Sequence, residues 1–152
     1  MLSNVIIVGG GESFKTQEEY LSWLDKFELY QDMGKSWKSQ TTSMLEALGA
    51  TVIRPMMPNE LNAKYLEWET MFNKYLSKIG TNPILIGHSL GGIFLPTYLS
   101  RNPLKVKALH LVAPVYKQCG DFDFDIYGYE PELIMNNTES IYIFIILPMM
   151  IL

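Results

Sequence analysis

Short apolar runs alternate along this chain with longer segments of helical periodicity. The runs predict five buried strands: Val5–Val8, Thr51–Arg54, Pro83–Ile86, Lys107–Val112 and Ile141–Ile145. Their continuous apolar character is typical of strands that are covered on both faces. Apolar residues at helical spacing predict four helices: Gln17–Phe27, Lys38–Leu48, Lys64–Ile79 and Gly91–Ser100. This alternation indicates an α/β domain with a mainly parallel sheet.

Two other segments have a distinctive pattern. The third predicted helix carries an aromatic and aliphatic stripe on one face, made of Tyr65, Trp68, Phe72, Tyr75, Leu76 and Ile79. Such a stripe packs against a core far more often than it binds a ligand, so we interpret it as core. The polar and aromatic stretch Tyr116–Asn137 is rich in turn residues, which predicts a loop or lid over the sheet edge.

Composition restricts the class of protein. The 152 residues, 48% hydrophobic and 18% charged, fit a single domain that spans residues 1–152 and buries a sizeable core. The net charge of -4 comes from scattered residues without a basic cluster, which argues against a nucleic-acid surface. The single cysteine, Cys119, excludes an internal disulfide and a cysteine-based zinc site, and it reads as a small loop residue. We expect a cytoplasmic location.

Neither terminus has the pattern of a membrane or export segment. The N-terminus lacks the basic start and long apolar core of a signal peptide. The most hydrophobic stretch, Ile141–Leu152, is shorter than the roughly 20 residues of a membrane helix, and Pro148 interrupts it. No membrane span is predicted.

A motif of catalytic interest follows the third predicted strand. Gly87–Gly92 reads Gly-His-Ser-Leu-Gly-Gly, a G-x-S-x-G pentapeptide with one further glycine. Between a buried strand and a helix, this pattern places the serine on a tight turn with its hydroxyl above the sheet edge. The sequence therefore predicts Ser89 as the nucleophile of an acyl-transfer reaction.

Acyl transfer also needs hydrogen-bond donors for the developing oxyanion. One candidate is the backbone N–H of Leu90, the residue after the nucleophile. The segment Gly9-Gly10-Gly11 follows the first strand, and we expect Gly10 and Gly11 to supply the second donor. A dinucleotide-binding glycine loop is the alternative interpretation, but Phe14 stands in place of its third glycine.

The general base is harder to assign. The chain contains two histidines, His88 and His110. His88 adjoins Ser89 on the sharp turn, so we expect its ring to point away from the hydroxyl. His110 lies within a predicted strand, where a histidine is usually structural. The serine–acid–histidine order of α/β-hydrolases requires a base late in the chain, and His110 precedes every plausible acid.

Three aspartates follow the elbow. The spacing of Asp121, Asp123 and Asp125, with Glu132 at the twelfth position, partly matches a calcium-binding loop. Ile126 occupies the position where that loop needs glycine, so we interpret the segment as a solvated loop. No metal ion or organic cofactor is predicted.

With these pieces in place, the chain resembles the small serine hydrolases of the α/β-hydrolase superfamily, the family that includes YdeN and the retinoblastoma-binding serine hydrolase. The matching segments run in order along most of residues 4 to 145: Val8–Gly11, the helix with Trp37, Arg54–Pro58, Gly87–Gly92 and Val112–Pro114. The resemblance implies a three-layer α/β-hydrolase fold, cleavage of small acyl esters or amides, and Ser89 as nucleophile. It also implies an acid in an Asp-Asp-Pro-like loop after Ile141–Phe144 and a histidine in a later loop.

Neither of these two loops follows Phe144, so we expect a truncated hydrolase that lacks its last strand and helix. Methionine has one codon, and therefore Met149-Met150-Ile151 encodes Asp-Asp when read from the third codon base. We hypothesise a frameshift near Phe144-Ile145, which sequencing of the downstream DNA would test. The expected function is that of a serine hydrolase by lineage. The alternative is a non-catalytic binding protein, or an inactive fragment, on the same fold.

Overall fold

The computed structural model describes residues 3–12, 14–27, 36–114 and 138–144, the last four by their backbone alone. Its elements are β1 Asn4–Val8, α1 Gln17–Asp25, α2 Trp37–Ala47, β2 Thr51–Ile53, α3 Tyr65–Ile79, β3 Ile84–His88, α4 Leu90–Arg101, β4 Ala108–Val112 and β5 Ile141–Phe144. Each strand and helix predicted from the sequence is confirmed, with small differences at the ends. The predicted loop Tyr116–Asn137, with Cys119 and the three aspartates, lies outside the described residues.

All five strands form one parallel sheet in the order β2-β1-β3-β4-β5. The predicted parallel sheet is therefore confirmed. The chain first adds β2 on one side of β1 and then β3 on the other, so the order reverses between β1 and β3. In open α/β sheets, ligands bind in the crevice outside the carboxyl ends of the strands at such a point.

The core lies on the sheet face that α3 and α4 cover. Phe94 of α4 is fully buried, and its ring centroid lies 5.5 Å from that of Trp68 and 5.4 Å from that of Phe72. These rings pack with Leu85 and Leu109 of the sheet in one apolar cluster. The aromatic stripe of α3 thus serves as core, as predicted, and each fully buried side chain of this size stabilises the fold by roughly 1.5–3 kcal/mol.

The two faces of the sheet are not equally covered. In β1, Val5–Val8 is buried on both faces, as the apolar run predicted. In β3 the pattern alternates, because Leu85 is buried while Ile84 and Ile86 are only half-buried. The prediction of burial on both faces is wrong for β3, since α3 and α4 pack on the Leu85 side and less of the described chain covers the other.

Local signals fix the ends of α1 and α2. Thr16 and Glu19 form a capping box at the start of α1, the reciprocal pair that satisfies two backbone donors. Gly49, with φ of 85°, ends α2 in the left-handed conformation that glycine adopts most easily. No residue of α1 is buried, and Phe27 beyond its end is 45% exposed, so its apolar side chains pack mainly on one another. None of the helices in the described ranges is long and apolar enough to span a bilayer.

Candidate active site

Ser89 occupies the turn between β3 and α4, at the carboxyl edge of the sheet. Its backbone has φ of 53° and ψ of -118°, a strained combination for a residue with a side chain. The Ser89 N–H donates to the carbonyl of Val112 at the end of β4 (3.1 Å), and its own carbonyl accepts from the N–H of Gly92 (2.9 Å). The hydroxyl does not cap α4, and within the described ranges it makes no hydrogen bond. It therefore remains available to a reactant.

Glycines are required around this turn because three backbone segments meet there. A Cβ on Gly91 would lie 2.5 Å from the carbonyl oxygen of Gly9 and 2.6 Å from that of Val8. A Cβ on Gly87 would lie 2.5 Å from the carbonyl oxygen of Gly91. Real Cβ atoms do not approach backbone oxygens this closely. The motif thus permits α4 to pack directly against the end of β1.

The same close packing brings the triple-glycine loop against Ser89. A Cβ on Gly10 would lie 3.0 Å from Ser89 Cβ and 3.4 Å from Ser89 Oγ. The two residues therefore approach this closely because Gly10 has no side chain. The N–H of Gly91 donates to the carbonyl of Gly9 (3.1 Å), which ties the loop to the first turn of α4. The sequence assigned Gly10 and Ser89 to one site, and the structure brings them together.

The other two predicted oxyanion residues differ in their placement. Leu90 is the first residue of α4, so its N–H has no acceptor within the helix and lies at the positive end of the helix dipole. Gly11 packs against the backbone of Glu60, whose carbonyl oxygen would lie 2.6 Å from an added Cβ. Gly10 is therefore the loop residue that faces the serine, and Gly11 contacts the segment after β2.

His88 precedes Ser89 in the turn but is not hydrogen-bonded to it. Its Nδ1 is buried and, within the described residues, has no hydrogen-bond partner. The ring meets Trp37 of α2 edge-on, with centroids 5.4 Å apart. Burial lowers the pKa of this imidazole below its ordinary value, and the nearby Lys38 ammonium lowers it further. The neutral form is therefore favoured at pH 7.

His110 lies too far from Ser89 to contact its hydroxyl. It pairs with Ile86 across the β3–β4 ladder, whereas Val112 pairs with His88. Ile86 precedes Ser89 by three residues, which at the rise of a β-strand corresponds to about 10 Å. Burial also lowers the pKa of His110. In the described part of the chain, no three His, Cys, Asp or Glu side chains are grouped as metal ligands.

Comparison with solved structures relates this arrangement to known proteins. The crystal structure of the ydeN gene product from B. subtilis matches with a TM-score of 0.64 and covers 93% of this chain and 69% of that one, at 18% identity. The fold is that of the α/β-hydrolases. The match confirms the α/β fold and the parallel sheet that the resemblance implies. An identity of 18% establishes the fold alone.

Two further solved structures of α/β-hydrolase type match less completely. A pyrethroid hydrolase from Sphingobium faniae shares 18% identity at a TM-score of 0.46, and the match covers 76% of this chain and 41% of the hydrolase. A monoacylglycerol lipase from Paleococcus ferrophilus shares 19% identity at a TM-score of 0.46, and the match covers 73% of this chain and 38% of the lipase. No protein-family model and no curated protein sequence matches the chain.

One part of the site has no signal in the sequence. Lys38 and Arg54 lie near the glycine loop on segments separated by sixteen residues, and they share a cavity with Gly9 and Gly10. Lys38 stands in no motif, and Arg54 begins the matching segment Arg54–Pro58 without a role assigned to its side chain. The packing of α2 beside β2 brings them together.

Proposed function

We propose that this chain is a serine hydrolase that cleaves small acyl esters or amides through an acyl-enzyme on Ser89. The observation that carries the proposal is the backbone of Ser89, held at φ of 53° on a strand-to-helix turn with Gly10 directly opposite its Oγ. Strain of this kind costs on the order of 1–3 kcal/mol and is typical of functional sites. The described elements share one sheet, which supports a single domain.

The proposed reaction has two halves. Ser89 Oγ bonds to the substrate's carbonyl carbon and gives its proton to a base from solvent, hydroxide or water, while the carbonyl π electrons move onto oxygen. The resulting oxyanion is stabilised by the N–H of Leu90 and by the loop at Gly10, at the positive end of α4. Collapse of this intermediate expels the alcohol or amine, which takes up a proton, and water then hydrolyses the acyl-enzyme.

The proton acceptor limits the expected rate. The sequence has two histidines, and neither is hydrogen-bonded to Ser89 in the described ranges. Serine hydrolases that lose triad residues retain roughly 10³–10⁴-fold catalysis over water, which comes from the oxyanion site and from binding. We therefore propose a slow enzyme whose nucleophile is competent toward activated electrophiles.

Labelling with a fluorophosphonate tests the nucleophile directly. We expect covalent modification of the folded protein, its loss in Ser89→Ala, and its retention in Ser77→Ala, a control serine on the exposed side of α3. Mass spectrometry locates the adduct. A folded protein that does not react would refute the hydrolase proposal and favour a binding protein on the same fold.

The pH dependence of labelling identifies the base. If no histidine takes the Ser89 proton, the logarithm of the labelling rate rises with a slope of about 1 between pH 6 and 9, as for a hydroxide-dependent step. A plateau above a histidine pKa that disappears in His88→Asn would instead assign the base to His88. The spontaneous hydrolysis of the probe at each pH is the blank.

A further inference from the structure

A cavity of about 330 Å³ lies beside the glycine loop. Gly9 and Gly10 form one wall, and Gly10 is also the residue that faces Ser89 Oγ. The rest of the lining comes from Ile7 of β1, from Lys38 of α2 and from the segment after β2, which contributes Arg54, Pro55, Met56 and Glu60. Gly10 thus borders both this cavity and the proposed nucleophile, which places the cavity next to Ser89.

Two cationic side chains line this cavity. The ammonium of Lys38 lies 3.4 Å from the point where a Cβ of Gly9 would stand, and Lys38 is half-buried. Arg54 donates from Nη1 to Ser39 Oγ (3.0 Å), which holds its guanidinium beside the first turn of α2. Within the described ranges neither cation forms an ion pair. Each therefore has charge and donors available to a ligand.

The charge of the cavity is opposite to that of the whole chain. Glu60 is the acidic residue of the lining, against the two cations, so the lining carries a net charge of about +1. The chain has a formal net charge of -4. Lys38 lies in the first turn of α2, whose dipole adds a partial positive charge there. A cation kept unpaired in an acidic protein, next to a nucleophile, points to an anionic ligand.

We propose that this cavity binds a carboxylate at the far end of the substrate's acyl group. The substrates would then be monoesters or monoamides of short dicarboxylic acids. This assignment extends the proposed function and rests on it, because the bound carboxylate belongs to a substrate only if Ser89 is the nucleophile. Gly9 and Gly10 are consecutive, with Cα atoms about 3.8 Å apart, so Lys38 and Ser89 contact neighbouring residues of one loop. An acyl chain of a few methylenes spans that separation, with Lys38 binding the carboxylate and Arg54 adding a second donor.

Equilibrium binding tests the cavity without any turnover. Glutarate is titrated into the wild-type protein and into Lys38→Gln by isothermal calorimetry. We expect binding that weakens about tenfold in Lys38→Gln, the size of one charge-assisted hydrogen bond, and that is restored in Lys38→Arg. Lys74→Gln, on the exposed side of α3, makes the same charge change away from the cavity and is expected to bind as the wild type does. Equal affinity in Lys38→Gln and wild type would overturn the proposal, as would the absence of glutarate binding.

A second measurement separates this inference from the proposed function. Fluorophosphonate labelling of Ser89 is followed with and without glutarate, and the protein is offered the 4-nitrophenyl esters of glutaric and pentanoic acids. We expect glutarate to protect Ser89, and the preference for the anionic ester to fall about tenfold in Lys38→Gln. If glutarate binds in a Lys38-dependent way but Ser89 is not labelled, the carboxylate site is supported and the proposed hydrolase function is refuted. If glutarate does not affect labelling and the anionic ester is not preferred, the assignment of the cavity is refuted and the proposed hydrolase function is not.

Discussion

The substitution Gly91→Ala should destabilise the protein because the added methyl group would push α4 away from the end of β1. The added Cβ would meet the carbonyl oxygens of Gly9 at 2.5 Å and Val8 at 2.6 Å, whereas ordinary contact begins near 3.4 Å. Both obstacles are backbone atoms, so no side-chain rotation relieves the overlap. The helix must shift by nearly 1 Å, which also stretches the hydrogen bond from the Gly91 N–H to Gly9 (3.1 Å).

The size of the effect follows from three contributions. Overpacking of a close contact costs about 1–3 kcal/mol, and loss of one hydrogen bond adds about 0.5–1.5 kcal/mol. Alanine is the better helix former by about 1 kcal/mol, which offsets part of this. The net expectation for Gly91→Ala is a loss of about 2 kcal/mol of unfolding free energy. For a chain of this length, that lowers Tm by roughly 4–8 °C.

Urea denaturation followed by circular dichroism measures this loss, and Gly9→Ala is its control. Among the described residues, a Cβ on Gly9 meets only the flexible end of Lys38, at 3.4 Å, so Gly9→Ala should change the unfolding free energy by less than about 0.5 kcal/mol. Because α4 carries Ser89 at its start, Gly91→Ala should also slow fluorophosphonate labelling. If Gly91→Ala were as stable as wild type, or if Gly9→Ala cost as much, the packing argument for this glycine would be wrong.

Three further predictions concern strain, protonation and core packing. Ser89→Gly should be more stable than Ser89→Ala by about 1 kcal/mol in urea denaturation, because glycine tolerates φ of 53°; equal stabilities would contradict the strain. The lowered pKa of His88 means that the unfolded chain binds more protons below the ordinary value of 6.5, so stability falls as pH drops through that range. His88→Asn should reduce this loss, and a pH profile that is identical to wild type would refute it. Phe94→Ala should lower the unfolding free energy by about 3–5 kcal/mol. The control Leu66→Ala should lower it by less than about 0.5 kcal/mol, because the Leu66 side chain is 72% exposed.

Most of the fold could be predicted because its signals are local. The apolar run before Gly87 and the helix after it are contiguous in sequence, and the aromatic stripe of α3 repeats at helical spacing. Burial was less predictable, as β3 and α1 show. Ile84 and Ile86 read as core residues but are half-buried, and Leu21 is 53% exposed. The coverage of a face depends on elements far away in sequence, about which a local pattern carries no information.

The same difference between local and distant signals decides which residues of the candidate site could be predicted. Ser89 could be located because a strand, a tight turn and a helix follow one another without a gap. The approach of Gly10 to Ser89 was a sound expectation because both segments follow adjacent parallel strands, which end at one edge of the sheet. Lys38 and Arg54 could not be found, since their proximity arises from the packing of α2 beside β2. The acid and base loops that the resemblance implies would follow Phe144, and the sequence after that residue contains neither an aspartate nor a histidine.

The geometry around Ser89 separates two properties that a working hydrolase combines. The position of the hydroxyl depends on backbone packing alone: three glycines that permit close approach, and hydrogen bonds from Ser89 to Val112 and from Gly91 to Gly9. The reactivity of the hydroxyl depends in addition on a proton acceptor, which none of these contacts supplies. Ser89 is therefore held in its strained conformation whether or not a base is present, because the sheet edge and α4 enforce it. Activity therefore depends on the proton acceptor, and the pH dependence of Ser89 labelling measures this property directly.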